Sequence, residues 1–152
     1  MCSSDLTQLA SSAGLETGNG IRVDARLCSS DPDIYAAGDV ASAFHPLLGK
    51  HIRVEHWANA LHQPQTAARA MLGQDVAYDR VPYFFTDQYD LGMEYFGYVG
   101  PDGYDRVIIE GDTAAAFRAY WERNGVVVAA MHANDWGASD EIRASIGTTR
   151  KD

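Results

Sequence analysis

The chain has 152 residues, of which 46% are hydrophobic and 22% charged, a composition typical of a soluble globular protein of one domain or of parts of two. The 21 acidic residues outnumber the 12 lysines and arginines and give a formal net charge of −9, so we do not expect a nucleic-acid partner. No apolar run approaches the ~20 residues of a membrane span. The first residues also lack the pattern of a signal peptide, which favours a cytoplasmic protein.

The N-terminal part of the chain predicts a short helix followed by a strand. Residues 9–15 have a helical pattern, with Gly14 as its stop. Apolar residues then alternate with charged ones from Ile21 to Leu27, which predicts a half-exposed strand.

The chain is organised around an apolar run, residues 34–37, that ends in Gly38 and Asp39. The run predicts a buried strand with Asp39 at its carboxyl end, in the crevice where open α/β sheets bind ligands. A strand followed by a simple turn fits the same residues. Pro46 and Gly49 then predict a loop over residues 42–53.

Residues 54–72 have the periodicity of a helix. Five residues at a spacing of three or four form the predicted inner face: Trp57, Leu61, Pro64, Ala68 and Met71. The polar residues 75–80 after this helix predict a domain boundary.

The remaining residues predict an antiparallel meander and a last helix. An aromatic run that includes Phe85 begins it. Asn124 and Gly125 predict a two-residue hairpin turn. With such a turn, Trp121 should lie opposite Val128 and Ala119 opposite Ala130. Ser139 is the predicted cap of a helix that contains Ile142 and Ile146.

Neither a metal site nor a nucleophilic catalyst is predicted. His56 and His62 are six residues apart and belong to different helix faces, and the other histidines do not converge with them. Cys2 and Cys28 give neither a zinc spacing nor a disulfide framework. No nucleophile motif is present, so no catalytic residue is predicted.

Residues 33–41, preceded by the sequence from Gly20 to Asp24, resemble the second FAD-binding motif of the pyridine-nucleotide flavoprotein reductases. The resemblance implies that Asp39 accepts a hydrogen bond from the ribityl chain of FAD. It also implies that Gly38 and Val40 line the turn at the pyrophosphate.

The helix that follows is similar to the family helix whose amino end points at the pyrimidine ring of the flavin. Glu55, Ala60 and Gln63 match its pattern approximately. The resemblance makes Glu55, His56 and Trp57 cofactor-binding candidates, while Trp57 alone also fits a simple core anchor.

Residues 81–91 resemble the opening of the C-terminal domain of ferredoxin-reductase-like flavoproteins. The resemblance implies that Phe85 lies over the isoalloxazine ring. Many relatives have Trp at this position, and Phe lacks the indole N–H, so a hydrogen-bonding role is not carried over.

Together these resemblances imply the C-terminal part of a longer reductase with an α+β fold. The expected fold is a remnant of a Rossmann-like FAD-binding domain followed by a C-terminal antiparallel sheet with a helix. The expected segments are a non-native leader at 1–6, the FAD-binding part at 7–74 and the reductase C-terminal domain at 81–152.

The implied parent is an FAD-dependent NAD(P)H oxidoreductase that passes electrons from NAD(P)H through the flavin to an iron–sulfur protein. A homodimer is a further expectation. The alternative is that residues 81–152 form a dimerisation or partner-docking module without a redox role.

Overall fold

The computed structural model describes residues 5–150, which divide into two compact units that meet between Arg80 and Val81. Helices and sheets occur together, and this confirms the predicted α+β fold class. Most of the predicted leader, residues 1–4, lies outside the described residues. The assignment of 1–6, 7–74 and 81–152 to named segments stays a prediction.

The first unit is a small four-stranded sheet with two helices. Its elements are α1 (Gln8–Ser12), β1 (Thr17–Gly18), β2 (Gly20–Val23), β3 (Ala41–His45), β4 (Lys50–Ile52) and α2 (Trp57–Met71). The strands are ordered β1-β2-β3-β4, and β2 and β3 run parallel while the other neighbours are antiparallel. The buried core consists of Val23, Leu27, Ala36, Ala41, Ala43, Ala67 and Tyr78.

The predicted strand at residues 34–37 is wrong, because this run pairs only with the turn that precedes it. Tyr35 makes a single bridge with Cys28, and the Ala36 N–H donates to the Leu27 carbonyl at 3.1 Å. Ile34 is 39% exposed, so the run is not buried throughout. The predicted strand from Ile21 to Leu27 likewise ends early, at Val23.

The predicted loop over residues 42–53 is also wrong, because β3 and β4 form an antiparallel hairpin there. Pro46 and Gly49 lie only in its tip, where the Gly49 N–H donates to the His45 carbonyl at 2.9 Å. Gly49 has a φ of 62°, which suits glycine. Pro46 and Gly49 correctly indicate a turn, but the turn covers only residues 46–49 and not the whole predicted loop.

The helix α2 confirms the predicted helix, but its buried face is not the predicted one. The buried residues are Asn59, Gln63, Ala67 and Ala70. Trp57 is 70% exposed and Met71 59% exposed. The two buried amides have hydrogen-bond partners within the unit, so the usual cost of burying polar groups is offset.

The second unit is a five-stranded antiparallel sheet with one helix on one face. Its elements are β5 (Tyr83–Gln88), β6 (Leu91–Gly97), β7 (Arg106–Asp112), β8 (Ala116–Arg123), β9 (Val126–Ala133) and α3 (Ser139–Ser145). The strand order is β5-β6-β9-β8-β7. The core between sheet and helix contains Phe96, Tyr120, Val127, Ala130, Ala138 and Ile142.

The hairpin between β8 and β9 has the predicted turn but a different register. Asn124 and Gly125 both have positive φ, 51° and 75°, as the predicted turn requires. Trp121 lies opposite Ala129 rather than Val128. Ala119 likewise lies opposite Met131 rather than Ala130. A β-bulge leaves Val128 as an extra residue on β9.

The bulge has a local cause in the neighbouring strand. The carbonyl of Val128 accepts a hydrogen bond from the Tyr98 N–H at 2.9 Å, so the extra residue is held from the β6 side. A Cβ at Gly97 would lie 2.4 Å from that same carbonyl oxygen. The two backbones therefore meet at a position that only glycine allows.

A polar network joins β5, β6, β9 and α3 on the helix side of the sheet. The Tyr83 hydroxyl donates to Glu94 Oε1 at 2.6 Å. His132 Nε2 lies 3.0 Å from Glu94 Oε2, and the Ser139 hydroxyl donates to the same oxygen. His132 is fully buried, and these hydrogen bonds link its strand to the neighbouring strands and to α3.

The network shifts the pKa values of two of its members. Burial of Glu94 raises its pKa, but hydrogen bonds from Ser139, Tyr83 and His132 outweigh burial, so the net pKa is lowered. Burial and the hydrogen bond to Glu94 raise the pKa of Tyr83 to about 12. Ser139 does not cap α3 as predicted, because its hydroxyl bonds Glu94 and the cap residue is Ala138.

Replacing Gly125 by Val tests the hairpin turn. A β-branched side chain is strained at a φ of 75°, so Gly125→Val should lower the free energy of unfolding by about 1 kcal/mol or more. Gly137→Ala is the control, because a Cβ there meets nothing within 4 Å and the φ is not positive. Equal thermal melting curves for the two variants would contradict the turn.

Replacing Glu94 by Gln tests the polar network. Since its pKa is lowered in the fold, the ionised Glu94 stabilises the folded state above the ordinary value of 4.5 and loses this effect as the pH falls through the folded pKa. Glu94→Gln should therefore lower the unfolding free energy by about 2 kcal/mol near neutral pH. The difference from the parent chain should shrink below pH 4.5.

The control for Glu94 is Asp140→Asn, since the Asp140 side chain is 99% exposed. Denaturant titrations at several pH values measure both variants. An effect of Glu94→Gln that stays constant down to pH 3 would show that the lowered pKa is not the source of the stability.

Candidate functional site

The turn Gly38–Val40 forms one side of the candidate site. It is a single 3₁₀ turn that follows the extended Ala37 and leads directly into β3. Gly38 is buried with a φ of 77°, and a Cβ there would lie 3.7 Å from the backbone of Ala60 in α2. A Cβ would therefore fit at this distance, and it is the positive φ of the turn that favours glycine.

One buried hydrogen bond fixes this turn to the helix. The Gly38 N–H donates to Gln63 Oε1 at 2.8 Å. A backbone N–H buried without a partner is costly, and Gln63 is the side chain that satisfies this one. This hydrogen bond therefore fixes the position of the turn relative to α2.

Asp39 lies at the amino side of β3, not at the carboxyl end of a strand, so that prediction is wrong. Asp39 is exposed at the surface. Its main-chain carbonyl accepts a hydrogen bond from Arg53 Nε at 2.6 Å. Arg53 also donates to Asn19 Oδ1 at 3.1 Å and pairs with the Glu55 carboxylate. One buried guanidinium thus holds the Asp39 turn and Glu55 together.

His56 shows that these carboxylates converge on the start of α2. Burial lowers the pKa of His56, while the charges of Asp39 and Glu55 oppose the shift. Burial has the larger effect, so His56 is a neutral imidazole near pH 7. It occupies the cap position of α2 in an extended conformation, with φ −114° and ψ 144°.

Trp57 is the first residue of α2 and is 70% exposed, so the interpretation as a core anchor is wrong. The first N–H groups of a helix lack intrahelical acceptors, and the helix dipole makes this end electropositive. The exposed Trp57 side chain therefore lies at the electropositive amino end of α2.

The first unit thus brings together all the predicted site residues that belong to it: Gly38, Asp39, Val40, Glu55, His56 and Trp57. Sequence reasoning missed Arg53, and it cited Gln63 only as a member of the helix pattern. The signal for Arg53 was its spacing from Glu55, because residues two apart in an extended segment lie on the same side.

Phe85 belongs to the second unit, in β5, and lies opposite Glu94 of β6. It is 50% exposed. The other two aromatics of the run are engaged within the unit: the Phe84 ring stacks on Tyr95 at 4.8 Å, and the Tyr83 ring packs on Phe96 at 5.0 Å. Phe85 is therefore the member of the run with the most accessible ring.

A pocket of about 290 Å³ elsewhere in the first unit contains none of the predicted residues. Arg22, Cys28, Phe44 and His51 are among its lining residues. Burial and the neighbouring Arg22 lower the pKa of His51.

Chemically, the candidate site combines a hydrogen-bond acceptor with the electropositive end of a helix. The exposed Asp39 carboxylate can accept hydrogen bonds from hydroxyl groups, and the amino end of α2 can stabilise negative charge on a ring oxygen. Within residues 5–150, no three His, Cys, Asp or Glu side chains are grouped so as to hold a metal ion, and no helix is long and apolar enough to cross a membrane.

Two family profiles match the chain in succession. The pyridine nucleotide-disulphide oxidoreductase profile matches residues 4–64, and the reductase C-terminal profile matches residues 83–151. The first match contains every candidate residue of the first unit, and the second contains Phe85.

Curated relatives are similar over most of the chain. The ferredoxin–NAD(+) reductase component of an anthranilate 1,2-dioxygenase system from Burkholderia cepacia is 44% identical over 107 residues, which is 70% of this chain and 26% of that protein. A monodehydroascorbate reductase from Pisum sativum is 34% identical over 139 residues, 85% of this chain and 31% of that protein. The chain thus spans about a quarter to a third of the length of these relatives.

Solved structures agree with the sequence matches. A ferredoxin reductase from Rhodopseudomonas palustris superposes with a TM-score of 0.81 at 32% identity, over 94% of this chain and 36% of that one. The reductase in a covalent putidaredoxin reductase–putidaredoxin complex gives 0.82 at 31% identity, over 95% of this chain and 35% of that one. From these matches and the geometry above, the chain belongs to the ferredoxin-reductase-like branch of the FAD-dependent pyridine nucleotide oxidoreductases.

Proposed function

We propose that this chain supplies part of the FAD site of an NAD(P)H oxidoreductase that delivers electrons to a ferredoxin-like protein. The observation that carries the proposal is the buried hydrogen bond from Gly38 to Gln63. It holds the exposed Asp39 beside the amino end of α2, which is the arrangement that a ribityl chain and a flavin ring need together.

Each residue of the first unit has a defined role in this proposal. Asp39 accepts a hydrogen bond from a ribityl hydroxyl, while Gly38 and Val40 line the turn at the pyrophosphate. Glu55 is held by Arg53 and helps to fix the start of α2. His56, neutral at pH 7, and Trp57 lie at the helix end that faces the flavin pyrimidine ring.

Phe85 is proposed to cover the isoalloxazine ring. Phe85 is 50% exposed although its ring centroid lies 6.3 Å from that of Tyr83, so part of the ring remains available for stacking. Phe85 offers no hydrogen-bond donor, so its contribution is apolar contact and exclusion of water.

When bound, FAD supplies hydride acceptance from NAD(P)H and transfer of single electrons to the acceptor. We propose an iron–sulfur protein as that acceptor. The Burkholderia cepacia relative is a ferredoxin–NAD(+) reductase component, and a reductase similar in structure was solved in a complex with putidaredoxin. The same proposal includes a cytoplasmic location.

The alternative is that residues 81–152 act as a dimerisation or partner-docking module. The outer strand β7, most of whose residues are exposed, favours it. Adding FAD to the chain separates the two functions, because the redox proposal predicts bound flavin with quenched fluorescence. A folded dimer without flavin affinity would favour the module.

Replacing Asp39 by Ala tests the cofactor role directly. The experiment uses a chimaera in which this chain replaces the matching segment of the Burkholderia cepacia relative. Loss of a charge-assisted hydrogen bond worth about 1.5–3 kcal/mol should weaken FAD binding by roughly 10- to 100-fold. Flavin content after dialysis and the Kd for FAD measure the effect.

The matched control for Asp39 is Asp33→Ala, which removes another exposed carboxylate from the same segment. This variant should retain FAD as the unmodified chimaera does. If Asp39→Ala and Asp33→Ala bind FAD equally well, Asp39 does not belong to the site.

Replacing Gln63 by Leu tests whether the turn depends on α2. The Gly38 N–H would remain buried without an acceptor, at a cost of about 1–3 kcal/mol in unfolding free energy. FAD affinity should fall with it, because the turn loses its fixed position. Gln65→Leu, on the exposed side of α2, is the control. Equal stability and equal FAD affinity for both variants would argue against this role.

A further inference from the structure

We propose that β7 is the surface through which two copies of this chain pair. The two β7 strands would run antiparallel across a two-fold axis centred on Ile108, and the two five-stranded sheets would become one of ten strands. The inference concerns the second unit and does not depend on flavin binding.

The first argument is the exposed edge that β7 presents. It is the last strand in the order β5-β6-β9-β8-β7 and pairs with β8 on one side only. Of its seven residues, Ile108 is half-buried and the other six are exposed. Val107 is 38% exposed and Ile109 55% exposed.

The strand has few of the features that keep an edge from pairing. Edge strands are often protected by Lys or Pro, and β7 contains neither. Its charged residues Arg106 and Glu110 lie on the helix side, and its one residue with a positive φ, Gly111, lies near its end. An edge of this length and composition is a template for another strand.

The second argument is register. A two-fold axis perpendicular to the sheet keeps each side chain on its own face, so one residue must lie opposite its own copy. With Ile108 at the centre, Val107 lies opposite Ile109 of the other copy, and Arg106 lies opposite Glu110. Within residues 106–110, every pair is then apolar with apolar or positive with negative, and such cross-strand pairs stabilise a sheet.

Other centres give poorer pairs. A centre at Ile109 places Ile108 opposite Glu110, and a centre at Glu110 places two carboxylates opposite each other. A centre at Val107 places Arg106 opposite Ile108. Among these registers, the sequence of β7 is therefore complementary to itself only when Ile108 is at the centre.

The third argument is the charge pattern on the helix side of the sheet. Arg106 bonds Glu122 at 2.7 Å, and Glu110 pairs with Arg150. The side chains of Arg106 and Glu110 remain 49% and 45% exposed. Pairing through Ile108 would place side chains of alternating charge in one row across the axis. The row would contain Glu122 and Arg106 of one copy, followed by Glu110 and Arg150 of the other copy.

Neither internal ion pair has to break to form this row. A guanidinium carries five N–H donors and a carboxylate has several acceptor positions, so each group can serve two partners. The net charge of −9 opposes association at long range. Salt screens this repulsion more than it weakens the short ion pairs, so moderate salt should favour the dimer.

The opposite face of the sheet gains an apolar patch. Val107 and Ile109 of each copy would meet across the axis and form four adjacent aliphatic side chains. Trp121 lies directly beside Val107 in the register of β7 and β8 and extends the patch. Burial of these partly exposed side chains supplies the hydrophobic contribution to pairing.

Cysteine cross-linking of the full chain tests the register. In a background with Cys2→Ser and Cys28→Ser, Ile108→Cys should form a disulfide-linked dimer on oxidation, because residues opposite each other lie within disulfide reach. The single variants Val107→Cys and Ile109→Cys should cross-link poorly. The double variant that carries both cysteines should cross-link well, because Val107 lies opposite Ile109 of the other copy. Cross-linking of Ile109→Cys as efficient as that of Ile108→Cys would overturn the register.

Light scattering of the full chain tests the surface itself. The unmodified chain should be a dimer, and Ile109→Lys should raise the dimer dissociation constant at least tenfold while circular dichroism shows an unchanged fold. Leu9→Lys is the control, because Leu9 is 83% exposed and belongs to α1 of the first unit. A monomeric unmodified chain, or a dimer that Ile109→Lys leaves intact, would refute the proposal.

Discussion

The hydrogen bond from the Gly38 N–H to Gln63 Oε1 is the constraint on which the first unit depends. It is buried, it is 2.8 Å long, and it connects residues 25 apart in the sequence. It joins the turn that contains Asp39 to the middle of α2. The polar inner face of α2 also becomes understandable, because Gln63 is buried in order to satisfy this N–H.

Arg53 supports the same region from the other side. Its guanidinium binds the Asp39 carbonyl, the Asn19 amide and the carboxylate of Glu55 two residues along, so its position is set by two other segments as well as its own. The side chain is 7% exposed, and a charge buried to this extent is tolerated only when it is paired. The carbonyl of Asp39 is occupied by Arg53, which leaves the exposed carboxylate as the group that a ligand can reach.

The sequence predicted where α2 and the β8–β9 turn lie, but it did not predict which side of α2 is buried or how β8 and β9 are aligned. Periodicity located α2, and Asn124 with Gly125 located the β8–β9 turn, because both signals are local in origin. The inner face of α2 was missed because apolar spacing points to Trp57 and Met71, while hydrogen bonds bury Asn59 and Gln63. The β8–β9 register was missed because the bulge at Val128 is caused by Gly97 and Tyr98, which belong to another part of the sheet.

The candidate site was predictable only in part, for a related reason. The motif around Gly38 and Asp39 was recognised, yet the apolar run before it was interpreted as a strand, since residues 34–37 satisfy the composition rule for one. Their actual partners are the residues just before them, at 27–29. Composition cannot distinguish a strand that joins a sheet from an extended segment that folds back on its own turn.

The two units differ in how much of their stability can come from apolar packing. The core of the second contains the large side chains Phe96, Tyr120 and Ile142, each worth about 1.5–3 kcal/mol when buried. Four of the seven core residues of the first unit are alanines, which bury little more than one methyl group each. Specific hydrogen bonds to Gly38 and Asp39 must therefore carry a larger share of its stability. Because a ligand that binds only the folded state adds to stability, a cofactor bound at that turn would add to the stability of the first unit.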